Sequence, residues 1–119
     1  AKTRGMIGAA QFARMKPGAL LVNTARGPVI DEPALVAALK NGKLAGAGLD
    51  TFATEPPDAA NPLFALPNVL VTPHIAAATT DAMVRMGTIA ASNIVSYLRG
   101  KVYDPRNFLN PEVFTDTSA

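Results

Sequence analysis

A histidine, an arginine and two acids stand just past three apolar runs, and their chemistries are complementary. His74, the only histidine in 119 residues, follows Val69-Leu70-Val71-Thr72-Pro73. Histidine is the side chain whose charge changes nearest neutral pH, so it suits proton transfer. Arg26 follows Ala19-Leu20-Leu21-Val22-Asn23 by way of Thr24 and Ala25. Its planar fork of donors suits a carboxylate or a polarised carbonyl. Asp50 and Glu55 follow the run from Leu44 to Leu49. Glu55 beside His74 would favour the imidazolium and fix the ring's orientation. An imidazolium held against a carbonyl oxygen is a general acid; in reverse it is a base for a hydroxyl. That is the chemistry of carbonyl–alcohol interconversion, with the hydride drawn from a cofactor because no side chain supplies one.

Each residue also has a plainer role open to it. His74 could be a capping or core-edge histidine. Arg26 could pair with Asp31 or cap the neighbouring helix. Asp50 could cap a turn, and Glu55, in a proline-rich loop, could be an ordinary solvated carboxylate. The functional reading gains weight only if the elements bring all of them to one edge.

Those elements alternate. Gly8 to Met15 has helical spacing, with Phe12 and Met15 apolar after Ile7, and Lys16-Pro17-Gly18 makes a turn. Ala19 to Asn23 reads as a first buried strand. Asp31-Glu32-Pro33 starts a helix with Asp31 as N-cap, Leu35, Val36 and Leu39 form its buried face, and Asn41-Gly42 closes it. Leu44 to Leu49 is a second, Gly/Ala-rich strand. Thr54 to Pro67 reads as loop, with Pro56, Pro57, Pro62 and Pro67. Val69 to Thr72 is a third buried strand, stopped by Pro73. Thr79 or Thr80 caps a long helix over roughly Asp81 to Leu98, with Met83, Met86, Ala90, Ile94 and Tyr97 in one apolar stripe and Gly100 at its end. Pro105 and Pro111 keep the tail irregular.

Apolar strands alternating with helices predict an α/β fold, a parallel sheet with helices on its faces. In such a sheet ligands bind beyond the carboxyl ends of the strands, where Arg26, Asp50, Glu55 and His74 fall. Three strands leave two outer edges to be paired or covered.

Composition narrows the field. A hydrophobic fraction of 49% fits a globular domain. The absence of cysteine removes disulfide and thiol chemistry and fits a reducing compartment. With one histidine besides, no zinc site is expected. The net charge of +2 is spread along the chain, so neither a nucleic-acid patch nor a membrane-binding face is predicted. No apolar run is long enough to span a bilayer. Gly46-Ala47-Gly48 imitates the start of a dinucleotide fingerprint, but Thr51 stands where the third glycine belongs and the stretch reads as strand. Ser92 and Ser96 lie inside the long helix without a nucleophile elbow. No phosphate loop of the Walker type is present.

Taken in order, Met15-Lys16-Pro17-Gly18-Ala19, Val22-Asn23-Thr24-Ala25-Arg26-Gly27, Asp31-Glu32, Ala47-Gly48-Leu49-Asp50, Glu55-Pro56 and Thr72-Pro73-His74-Ile75 closely resemble the NAD-dependent D-2-hydroxyacid dehydrogenases, the group that includes phosphoglycerate dehydrogenase and glyoxylate/hydroxypyruvate reductase. The resemblance runs to about Leu98. It implies a Rossmann-like nucleotide-binding half-domain over residues 1–99 and a returning C-terminal tail over 100–119. It implies Arg26 as the arginine that holds a 2-oxo acid, His74 as the acid/base and Glu55 as its partner. It implies that Thr24, Ala25, Arg26, Asp50, His74, Ala76 and Ala77 line the nicotinamide. The implied cofactor is NAD, with NADP open, and the implied partner is a small 2-oxo or 2-hydroxy acid. The implied setting is a cytoplasmic enzyme, a homodimer in its full-length parent.

Glu55 sets the chain apart from the similar formate dehydrogenases, which carry glutamine there. Pro28 stands where the family often has glycine, Thr51 replaces a common valine, and Ala76-Ala77 replaces a common pair containing glycine. The resemblance reaches only the second half of the family's nucleotide-binding domain, so the chain is expected to be a fragment that binds NAD poorly alone. A non-catalytic, NAD-sensing corepressor of the same family keeps the same three catalytic positions and is the alternative reading.

Overall fold

The structure is a computed structural model that describes residues 2–101 and 109–110. The chain divides into two compact units, Ala1–Ala76 and Ala77–Ala119. The expected irregularity at Pro105 and Pro111 lies outside the described residues.

The first unit is built on three parallel strands, β1 (Ala19–Asn23), β2 (Leu44–Leu49) and β3 (Val69–Val71), in the order β1-β2-β3. Leu21, Ala47 and Val69 share one row across the sheet, and Asn23, Leu49 and Val71 the next. Side chains alternate between faces along a strand, so Leu20, Val22 and Leu70 fall together on the other face. The register places Gly46 beside Leu20 and Gly48 between Val22 and Leu70.

Helix α1 (Ala9–Arg14) buries Phe12, and helix α2 (Glu32–Lys40) buries Leu35, Ala38 and Leu39. Together with Leu44, Ala47, Leu49, Phe52 and Leu63 these make one core. At about 1.5–3 kcal/mol for each fully buried large apolar side chain, this cluster is the main force holding the unit together. Asp31 caps α2 as expected, accepting a hydrogen bond from the Ala34 N–H at 3.1 Å. At the other end Gly42 takes a φ of 76°, the left-handed conformation that lets the chain leave a helix without a Cβ clash.

Five expectations change. Val36 is only half-buried, and Ala38 takes its place on the buried face of α2. Strands one and three are not buried on both sides, because Leu20, Val22 and Leu70 are exposed; α2 covers only the opposite face. The loop from Thr54 to Pro67 contains a 3-10 turn, Pro62–Ala65, started by Asn61, whose side chain accepts the Leu63 N–H. Leu63 is fully buried at 0% exposure, so this turn is pegged into the core. Ile7 pairs with Ile30 in an isolated parallel bridge, a non-local contact that helical spacing did not suggest. β3 ends one residue early, at Val71, although the Thr72 N–H still donates to the Leu49 carbonyl.

The second unit contains helix α3 (Thr80–Leu98), capped by Thr79 through the Ala82 N–H and ending before Gly100, whose φ is 62°. The helix buries none of its residues. No helix among the described residues is long and apolar enough to cross a membrane.

Candidate active site

Parallel strands end together, so their following loops share one rim. Each loop is fastened by a buried or half-buried polar side chain. Asn23 closes β1 and is buried. Its Oδ1 accepts the Ala25 N–H at 3.1 Å and its Nδ2 donates to the Arg26 carbonyl at 3.1 Å. This Asx-type turn holds Thr24-Ala25-Arg26 in shape. Asp50 closes β2 and is 4% exposed. Its Oδ1 accepts the Thr72 hydroxyl at 2.5 Å and the Ile75 N–H at 2.8 Å; its Oδ2 accepts the Ala76 N–H at 2.9 Å. Asp50 therefore staples the loop after β3 to the end of β2.

That staple explains how His74 is presented. His74 has a φ of 54°, in the left-handed region that residues with a Cβ rarely adopt. A residue persists there when its surroundings over-determine it. Here Thr72, Ile75 and Ala76 on either side are all tied to one carboxylate. The turn points the imidazole at Glu55, whose Oε2 lies 2.8 Å from His74 Nδ1. The other oxygen of Glu55 accepts the Phe52 N–H at 3.0 Å, so the carboxylate is itself fixed.

The electrostatics follow from these bonds. The Phe52 N–H and then the His74 ring hold the Glu55 carboxyl below its ordinary value of 4.5, with smaller contributions from the charges of His74 and Arg26. Asp50 is held below its ordinary 3.8, first by the Thr72 hydroxyl and then by the Ala76 and Ile75 N–H groups, against the opposing effect of burial. Both acids are thus anionic at neutral pH. The His74 and Glu55 side chains keep 47% and 38% exposure, so their ion pair is screened by water and its value is orientation more than stability.

Arg26 is close enough for its charge to act on Glu55, yet it makes no hydrogen bond to Glu55 or His74; its Nη1 donates to the Ala25 carbonyl at 2.7 Å. Gly27 behind it cannot be replaced without disturbance: a Cβ there would fall 1.9 Å from the Phe52 carbonyl carbon. The expected gathering of Arg26, Asp50, Glu55 and His74 at one edge is therefore what the strands produce. Ala76 joins them through Asp50, and Ala77 begins the second unit.

Sequence reasoning assigned no role to Asn23, Thr72, Phe52 or Gly27. The signal for Asn23 was its place at a strand end, where Asn favours local turns. The others depend on contacts between distant loops, which one sequence does not display. Among the described residues no group of His, Cys, Asp and Glu is able to hold a metal ion.

A hollow of about 380 Å³ opens beside His74 and Glu55, walled by Phe52, Pro56, Pro57, Phe64 and Val71. The rim presents an imidazole held by an anionic carboxylate and an exposed guanidinium, groups that fit an anionic substrate beside the polar end of a nicotinamide. No glycine-rich strand-to-helix turn for a pyrophosphate occurs among the described residues; Gly46 and Gly48 lie within β2.

A parallel α/β unit with polar loops on its carboxyl rim has the architecture of a nucleotide-binding domain. Residues 1–76 match the model of the D-isomer specific 2-hydroxyacid dehydrogenase NAD-binding domain, and the chain belongs to that family. It is 46% identical over 112 residues to glyoxylate/hydroxypyruvate reductase B of Citrobacter koseri, covering 94% of this chain and 34% of that protein. Among solved structures it is similar to a D-isomer specific 2-hydroxyacid dehydrogenase from Xanthobacter autotrophicus Py2, in complex with NADPH and MES (41% identity, TM-score 0.72, 88% of this chain and 44% of that one). It is also similar to the holo form of Rhodotorula graminis D-mandelate dehydrogenase (42% identity, TM-score 0.76, 84% and 29%). The chain spans about a third of the length of the curated relatives it matches.

Proposed function

We propose that this chain carries the acid/base half of an NAD(P)-linked oxidoreductase acting on small 2-hydroxy and 2-oxo acids. The observation that carries the reading is His74 Nδ1 at 2.8 Å from an anionic, doubly bonded Glu55. Bound NAD(P)H supplies the hydride that reduces C2 of the substrate. Glu55 accepts a hydrogen bond from the Nδ1–H of the His74 imidazolium, which keeps that proton and is fixed in orientation. The opposite nitrogen, Nε2, then gives a proton to the substrate's carbonyl oxygen as C2 gains the hydride, completing the alcohol. In oxidation the same nitrogen takes the proton back. Arg26, exposed and with its guanidinium bonded among the described residues only to the Ala25 carbonyl, exchanges that contact to clamp the substrate carboxylate with its planar fork. Thr24, Ala25, Arg26, Asp50, His74 and Ala76 would line the nicotinamide, Asp50 by holding the His74 loop as well as by its own charge.

The relatives named for glyoxylate, hydroxypyruvate and mandelate support the substrate class. The same reading includes a nucleotide-binding part over residues 1–99, a tail over 100–119, a homodimeric full-length protein and a cytoplasmic setting.

The test is a chimaera in which this chain replaces the matching segment of the Citrobacter koseri reductase. Nicotinamide oxidation with a panel of 2-oxo acids is expected to persist and to fall sharply in Arg26→Ala through a raised KM. A chimaera that folds and binds cofactor but reduces no 2-oxo acid would refute the proposal.

A further inference from the structure

The hollow beside His74 is more apolar than proton transfer and carboxylate binding require. Phe52, Phe64 and Val71 supply hydrocarbon walls, and Pro56 and Pro57 supply rigid ones. Of the polar groups that reach it, Asp50, Glu55 and Thr72 are already engaged, and His74 Nε2 is taken by the carbonyl in the reading above. Asp50 accepts from Thr72, Ile75 and Ala76, and Glu55 accepts from Phe52 and faces His74. A hydroxyl entering the hollow would give up water and meet carboxylates whose fixed partners hold them, whereas a hydrocarbon group would only displace water from hydrocarbon.

One wall is adjustable and one is not. Phe52 is buried, and Phe64 stands against it edge-to-face, with centroids 5.4 Å apart and planes at 66°. Phe64 keeps 40% exposure, so its ring is the part of the pair that faces the opening. The backbone that carries it is firm. Its 3-10 turn is capped by Asn61 and pegged by fully buried Leu63. The volume of about 380 Å³ lies at the small end of the range for ligand pockets, roughly 300–1,000 Å³.

Resting on the reading of His74 and Arg26 given above, we propose that this hollow receives the group attached to C3 of the 2-oxo acid, that Phe64 sets its size, and that the preferred substrates carry a branched or aromatic hydrocarbon there. With the carboxylate at Arg26, which is outside the hollow's lining, and the carbonyl at His74, which is in it, the hollow is the adjoining space open to the substituent. Each additional buried methylene in such a pocket is worth about tenfold or more in discrimination.

The experiment is an NMR titration of the full 119-residue chain with 4-methyl-2-oxopentanoate, hydroxypyruvate and glyoxylate. The branched acid is expected to move the resonances of Phe52, Phe64, Val71 and His74 and to bind at least about tenfold more tightly than hydroxypyruvate. Phe64→Ala is expected to abolish that preference, weakening the branched acid more than glyoxylate. Phe64→Leu, which keeps an apolar wall, is expected to retain part of it. Equal binding of the branched and hydroxylated acids, or shifts that bypass Phe64 in the native chain, would overturn the proposal. The two readings fail separately. Selective binding in a chimaera that transfers no hydride would sink the oxidoreductase reading and leave the hollow, whereas turnover without selectivity would do the reverse.

Discussion

Replacing Gly27 by alanine perturbs the rim at its tightest approach. Its Cβ would lie 1.9 Å from the Phe52 carbonyl carbon, 2.0 Å from the Phe52 oxygen and 2.5 Å from the Ala53 nitrogen, where ordinary contact begins at 3.4 Å. The 52–53 peptide would have to retreat by about 1.5 Å, the shortfall at its carbon. It is not free to do so. The Phe52 N–H donates to Glu55 and the Ala53 N–H donates to Glu32 at 2.6 Å. Overpacking of this kind costs about 3 kcal/mol at the upper end of its usual range. The entropy that alanine removes from the unfolded chain offsets up to about 1 kcal/mol, leaving a net loss of roughly 2 kcal/mol. Urea unfolding followed by circular dichroism is expected to give a lower midpoint with an unchanged slope. Because Glu55 hangs from Phe52 and Arg26 adjoins Gly27, turnover in the chimaera is expected to fall by about 100-fold, the usual effect of an ångström-scale misplacement. A Gly27→Ala chain with native stability and full turnover would refute the reasoning that this contact sets the rim.

Three further outcomes are expected. Thr51 is 2% exposed and its hydroxyl has no partner among the described residues, so the isosteric Thr51→Val should stabilise the chain by about 1–2 kcal/mol, read as a raised melting temperature; a loss would contradict it. Asp50→Asn replaces an acceptor of three donors by a group with one acceptor oxygen, so it should release the 72–76 loop, seen as faster amide exchange at Ile75 and Ala76, and unchanged exchange would count against the staple. The Asp50 and Glu55 carboxyls are both held below their ordinary values, so their contribution to stability is full above the ordinary carboxylate range and is lost as pH falls through the lowered values. Acid titration of stability should therefore be shallower in Asp50→Asn than in the native chain, and parallel curves would contradict the linkage.

Much of this fold was legible because local signals agreed with one another. β1 and β2 fell where apolar runs between turn residues put them, and Asp31, Gly42 and Thr79 did the capping that their types favour. The gathering of Arg26, Asp50, Glu55 and His74 at one rim follows from parallel strands alone. What stayed hidden depends on distance along the chain. Asp50 resembled a cofactor contact, yet its three donors come from residues more than twenty positions away. The pegging of the proline loop by Leu63 looks, letter by letter, like any loop leucine. The exposed row of Leu20, Val22 and Leu70 reads as buried in sequence, because an apolar run does not say whether both faces of its strand are covered.

The central claim is that His74, oriented by Glu55, moves the proton during carbonyl reduction. It is tested most directly by measuring turnover and cofactor affinity together in the chimaera, for the native segment and for His74→Asn. The account predicts that kcat falls by about 100-fold or more while the cofactor dissociation constant stays within a factor of about two. Turnover that survives the substitution nearly intact, with the protein folded and cofactor bound, would contradict it.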